Sequence, residues 1–68
     1  MALSARNHLK GEITEVVLGT VTALVTLKVG DNIVESVITK KSARELRLKK
    51  GDKVTAVIKA TEVMIQKD

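Results

Sequence analysis

From Thr20 to Val29 apolar and polar residues alternate with a period of two. Val21, Ala23, Val25, Leu27 and Val29 fall on one face, Thr20, Thr22, Thr26 and Lys28 on the other, and only Leu24 interrupts the polar side. That period predicts a half-buried β-strand. Before it, Leu9–Leu18 (LKGEITEVVL) separates Ile13 and Val17 by polar Thr14 and Glu15 and predicts a first strand, ended by Gly19 as a turn or bulge signal. After it, Gly30-Asp31-Asn32 tolerates the positive φ of a tight hairpin, and the chain resumes as a third strand over Ile33–Thr39 (IVESVIT).

Ser42-Ala43-Arg44-Glu45 has the spacing of a capping box, in which the Ser hydroxyl accepts from the N3 amide and Glu45 reaches back to the cap amide. It predicts a short helix, stopped within about two turns by Lys49-Lys50-Gly51-Asp52, with basic residues and Gly at a C′-like position. Lys53–Ala60 alternates again, Val54, Ala56 and Ile58 against Thr55, Val57 and Lys59, and reads as a fourth strand. Thr61-Glu62 breaks the pattern, and Val63-Met64-Ile65 reads as a short fifth strand before a polar end. Five strands with one short helix between the third and fourth is the element order of an OB-fold, an all-β, small, partly open Greek-key barrel. An SH3-like barrel accommodates the same five short strands. No Pro, linker or internal repeat divides the chain, so residues 1–68 are expected to form a single domain.

Composition sharpens this picture. Ten Val, five Ile and seven Thr make 22 of the 68 residues β-branched, which suits strands and argues against a helical bundle. There is no Phe, Tyr or Trp, so an isolated barrel has only a thin core, and without Cys or a zinc-ligand cluster neither common staple of a small domain is present. Oligomerisation is the remaining device. No apolar run approaches the ~20 residues that span a bilayer, and Met1–Arg6 is not the head of a signal peptide, so a soluble cytoplasmic protein without membrane association is expected. The net charge of +4 favours an anionic partner.

Catalysis needs a positioned base, nucleophile or metal. With one His, no Cys and no suitably spaced pair of acids, an enzyme is not expected. The four glycines, at 11, 19, 30 and 51, read as scattered single turn formers and make no phosphate-cradling loop. The densest charge run, Lys40 to Lys53, holds seven of the twelve basic residues and raises the alternative of a nucleic-acid-binding OB module. OB-folds that hold single strands stack bases on aromatic rings, which are missing here, so the run reads as a solvated face.

Two short segments carry more chemistry. Ser4-Ala5-Arg6-Asn7-His8 offers hydroxyl, guanidinium, amide and backbone N–H donors uninterrupted by any acid, and Lys59-Ala60-Thr61 is a second donor-rich stretch. Together with VTALVTL in the second strand, SVIT at 36–39, a capped helix followed by KKGD, and VIKATEVMI at 57–65, the order SARNHLKG at 4–11 resembles the molbindins, single-module molybdate-binding proteins built from a transport-associated OB domain. The SARN and K-[AS]-T signatures at the two ends are the most specific parts. Position 8, commonly Gln in that group, is His here.

The resemblance implies binding and storage or buffering of molybdate or tungstate at the subunit interfaces of a homohexamer, a trimer of dimers. It implies that Ser4, Ala5, Arg6 and Asn7 line one part of an interfacial pocket and Lys59, Ala60 and Thr61 another, with Thr39 as a hydroxyl donor. No cofactor and no direct protein ligand to the metal is implied. The chemistry is consistent with this: a tetrahedral dianion only accepts hydrogen bonds, so its site needs convergent donors and one or two positive charges, and charge-assisted bonds are roughly twice as strong as neutral ones.

Overall fold

β1, Asn7–Leu18, organises the sheet because its two halves pair with different partners. Its first half runs antiparallel to β4, Lys53–Ile58, from Asn7↔Ile58 to Glu12↔Lys53. Its second half runs antiparallel to β2, Thr22–Val29, from Glu12↔Lys28 to Leu18↔Ala23. β3, Asn32–Thr39, completes a four-stranded open sheet of order β3-β2-β1-β4. A short helix α1, Lys40–Glu45, joins β3 to β4, and a 3-10 turn, Ala60–Glu62, follows β4. These elements come from a computed structural model that describes residues 4–68; the reading of Met1–Arg6 as no signal peptide falls partly on residues 1–3, outside the described residues.

Two local features bend β1. The register shifts between Ile13 and Glu15, so Thr14 is the extra residue of a bulge, which increases twist. At Gly11 a Cβ would stand 2.6 Å from the Lys28 carbonyl oxygen and 2.9 Å from a Val29 methyl, so only glycine lets the backbones of β1 and β2 come this close. Gly11 is thus a bend inside a strand and not a turn former. The curled sheet has a concave face, where the edge strands present Val34, Ser36 and Ile38 from β3 and Val54, Ala56 and Ile58 from β4 to one apolar groove.

The core is thin, as the missing aromatics imply. Ile13, Ala23, Val25, Leu27 and Ala43 are buried, and none is larger than Ile13 and Leu27. Val21, assigned by alternation to the same face, is 70% exposed, because Gly19–Val21 form the connection into β2, held by the Gly19 N–H to the Thr22 carbonyl at 2.8 Å. β2 accordingly starts at Thr22 and not at Thr20. The β2–β3 hairpin closes through Gly30 and Asp31 with Val29 opposite Asn32; Gly30 has φ 59° and Asn32 already belongs to the strand.

The helix begins earlier than its apparent capping box. Thr39, not Ser42, is the N-cap: its backbone is extended, and its hydroxyl accepts from the Ser42 N–H at 3.0 Å and donates to the Ser42 hydroxyl at 2.8 Å. Ser42 thereby becomes N3 and Glu45 falls in the last turn. The helix stops at Leu46, and Arg47, at φ 53°, takes the left-handed position expected of Gly51. The Arg47 N–H to Arg44 carbonyl and Leu48 N–H to Ala43 carbonyl bonds, at 3.0 and 3.1 Å, form a Schellman closure. Gly51, at φ 94°, serves a separate turn in which the Asp52 carboxylate accepts from the Lys49 N–H at 3.0 Å.

β4 ends at Ile58, two residues before the predicted Ala60, because the chain turns into the 3-10 segment. The fifth strand at Val63–Ile65 does not form within the chain. Residues 63–68 have no regular structure, with Met64 93% and Ile65 91% exposed. Three residues can add only a few ladder bonds, against about 1–2 kcal/mol of backbone entropy for each residue fixed. The expected five-stranded barrel is therefore a four-stranded open antiparallel sheet in the single chain. Among the described residues no helix is long and apolar enough to cross a membrane.

Candidate functional site

The β1–β4 ladder ends at Asn7 and Ile58, so the two donor-rich segments leave the sheet from adjoining chain positions. Asn7 ties them: its side-chain amide donates to the Ile58 carbonyl at 3.2 Å, immediately before Lys59. Ser4 and Arg6 are exposed, and Ala5 and Asn7 are part-buried. On the other side Lys59 is the extended residue that opens the 3-10 turn, and its carbonyl accepts from the Glu62 N–H at 2.9 Å. The first N–H groups of such a turn have no partner inside it, which leaves the amides of Ala60 and Thr61 available as donors. Lys59, Ala60, Thr61 and the adjacent acid, Glu62, are all exposed.

Thr39 lies elsewhere. It ends β3, opposite Thr22, at the far edge of the sheet from β4, and its hydroxyl is engaged in capping α1. Seven of the eight sequence-derived site residues, 4–7 and 59–61, thus gather at one end of one ladder, and Thr39 does not join them within a chain. The apolar groove between β3 and β4 is no substitute, since none of the donor residues from either segment lines it.

One polar contact at this end had no assigned role in the sequence. The Nε2 atom of His8 lies 3.2 Å from the Ala5 carbonyl oxygen. A carbonyl has no proton to give, so the ring nitrogen donates. The only sequence signal was the proximity of a lone imidazole to SARN.

Further along the same strand, charges are paired differently. Lys53 bonds to the Glu12 carboxylate, and this hydrogen bond and charge, helped by the charge of Lys28 and opposed by desolvation, hold the Glu12 carboxyl below the ordinary carboxylate range. The basic run from 40 to 53 is spread over a helix, two turns and the start of β4, with Lys49 and Lys53 facing Asp52 and Glu12. Among the described residues no group of three or more His, Cys, Asp or Glu side chains is placed to hold a metal ion.

Comparison with known proteins adds independent observations. Residues 3–65 match the family model described as the TOBE domain. Molybdenum-pterin-binding protein 3 of Clostridium pasteurianum is 48% identical over 66 residues, covering 96% of this chain and 97% of the relative. Molybdenum-pterin-binding protein MopA of Rhodobacter capsulatus is 44% identical over 66 residues, but these cover only 25% of its length. Among solved structures, a molybdate-binding protein from Sporomusa ovata superposes with a TM-score of 0.95 at 40% identity, covering 98% of this chain and 100% of that one. The molybdate-bound cytoplasmic protein ModG superposes with a TM-score of 0.83 at 43% identity, covering 88% of this chain and 43% of that one. The relatives are thus named for binding and not for catalysis.

Proposed function

The chain belongs to the TOBE-domain, molbindin family, and from that premise we propose that it binds molybdate or tungstate as intact oxyanions and stores or buffers them in the cytoplasm. The observation that carries the proposal is the junction at Asn7 and Ile58, which supports a common anion site for Ser4–Asn7 and Lys59–Thr61. Arg6 and Lys59 supply positive charge, Ser4, Asn7 and Thr61 supply side-chain donors, and backbone amides near Ala5 and Ala60 complete the set. Selection over sulfate, a smaller tetrahedral dianion, then falls to the dimensions of the completed pocket.

Completion requires other copies of the chain. The donors are open to solvent in one subunit, and a dianion held by solvated donors gains little over water. Association is favoured by the exposed apolar residues, among them Val21 at 70%, Val37 at 69%, Leu46 at 66% and the Met64-Ile65 pair, which exceed what scattered surface residues require. The proposed assembly is a hexamer, a trimer of dimers, in which Thr39 of one copy would join another copy's donors and Val63–Ile65 would cover an apolar surface of a neighbour. Calorimetric titration with molybdate and tungstate, with sulfate as control, tests the function, and light scattering on the same samples tests the assembly. Stoichiometric saturation by the first two and not by sulfate is expected, in a species several times the 7.4 kDa chain. A monomer that binds none of them overturns the proposal.

A further inference from the structure

We propose that His8 is a positioning residue that orients the Arg6 amide toward the oxyanion. This rests on the reading of Ser4–Asn7 as anion donors. His8 is the only imidazole in the chain, and its backbone is held in the β1–β4 ladder opposite Val57. From that fixed base its Nε2–H reaches back three residues to the Ala5 carbonyl, at 3.2 Å. In a planar trans peptide the carbonyl of one residue and the N–H of the next point in opposite directions. Holding the Ala5 carbonyl toward the ring therefore aims the Arg6 N–H away from it. The same bond turns a carbonyl oxygen, which repels an anion, away from the donor side of the segment.

Neutral imidazole exists as two tautomers, and the one with hydrogen on Nε2 makes this bond. The side-chain amide of a Gln at this position could donate to the same carbonyl, whereas Ala could not.

The test joins a ligand-free and a ligand-bound measurement on the full chain, with His8→Gln and His8→Ala variants; His8 is exposed, so the fold is expected to survive both changes, which circular dichroism checks. In the ligand-free protein the Arg6 amide NMR resonance is expected to move in His8→Ala and to return toward its original position in His8→Gln. By calorimetry, His8→Ala should weaken molybdate binding by about three- to tenfold. His8→Gln, whose amide can donate to the same carbonyl, should recover much of the affinity. An Arg6 amide unmoved in His8→Ala, or a His8→Ala variant with unchanged affinity, overturns the inference while leaving the anion site intact. Failure of all three proteins to bind molybdate overturns the anion reading, and the amide resonance alone then decides whether His8 orients the segment.

Discussion

The middle of β1 and the start of β1 differ in how completely their polar and apolar groups are satisfied. At Ile13 the side chain is 1% exposed, the backbone N–H donates to the Asp52 carbonyl at 2.9 Å, and the carbonyl accepts from the Gly51 N–H at 2.8 Å. Six residues earlier, Asn7 makes one side-chain bond to Ile58, and the chain before it runs out with exposed Ser4 and Arg6. Buried polar groups must be paired, whereas exposed donors exchange one water for another at little cost. A fully satisfied region therefore identifies a structural element, and a region of solvated donors on a fixed base identifies one that can accept a ligand. The contrast arises within a single strand, so the rigid half holds the open half in place.

The largest effects are expected from removing charge at the open end. Arg6→Ala or Lys59→Ala should weaken molybdate binding by roughly 30-fold to several thousand-fold, from the ~2–5 kcal/mol typical of truncating one partner of a desolvated charge interaction, with little change in unfolding by urea. Calorimetry on variants whose assembly is verified by light scattering makes the measurement. Unchanged affinity in both would sink the assignment of these residues. Arg6→Lys should also lose affinity, because a point charge does not reproduce the planar fork that directs two bonds to adjacent oxygens.

In the closed middle of the strand the reverse pattern is expected. Gly11→Ala places a methyl 2.6 Å from the Lys28 carbonyl oxygen, a backbone atom that cannot swing aside, and should cost ~1–3 kcal/mol of stability, read as a lower urea midpoint. Equal stability would mean that β1 and β2 are not held together at this point.

A smaller change with the opposite sign tests the helix end. Arg47 occupies a left-handed conformation at φ 53°, which costs a residue with a Cβ roughly 1–2 kcal/mol. Arg47→Gly relieves it, and after the greater flexibility of unfolded glycine is subtracted the chain should gain a net ~0.5–1 kcal/mol. A loss of stability would show that the Arg side chain does more for the fold than its backbone costs.

The smallest effect belongs to Glu12. Its carboxyl is depressed by Lys53, so the unfolded chain binds this proton more readily than the folded one. The resulting stabilisation is complete above the ordinary value of 4.5 and is lost as pH falls through the lower, folded value. Glu12→Gln should therefore flatten the acid limb of the stability profile below pH 4.5 and change stability at neutral pH only slightly, since the pair is exposed and screened by salt. An acid limb that keeps its shape in the variant would assign it to other carboxylates.

Strand existence was legible because alternation has a direct physical cause: one face of a pleated strand meets the core and the other meets water, as Ala23, Val25 and Leu27 against Thr22 and Lys28 show. The donor segments were legible as chemistry, since an acid-free run of hydroxyl, guanidinium and amide groups suits an anion wherever it folds. Helix boundaries were less so. Thr39 and Ser42 are both good caps by residue type, and what selects Thr39 is long-range: the Lys40 N–H is already bonded to the Val21 carbonyl at 2.7 Å, which fixes where the strand ends and the helix starts.

What the sequence alone determined is therefore local and periodic: four of the strands, a hairpin turn within Gly30-Asp31-Asn32, a short helix, a thin aromatic-free core and the residue types able to hold an oxyanion. What only the tertiary structure decided depends on which backbone groups already have partners. The sheet order, the meeting of Asn7 with Ile58 and the removal of Thr39 to the opposite edge follow from that, while the close approach at Gly11 is a matter of space and the failure of Val63–Ile65 to form a strand in its own chain one of entropy. Side-chain pattern specifies which face of an element is buried, but pairing between distant segments is settled by competition for a limited set of hydrogen-bonding edges, and that competition is resolved only when the whole chain has folded.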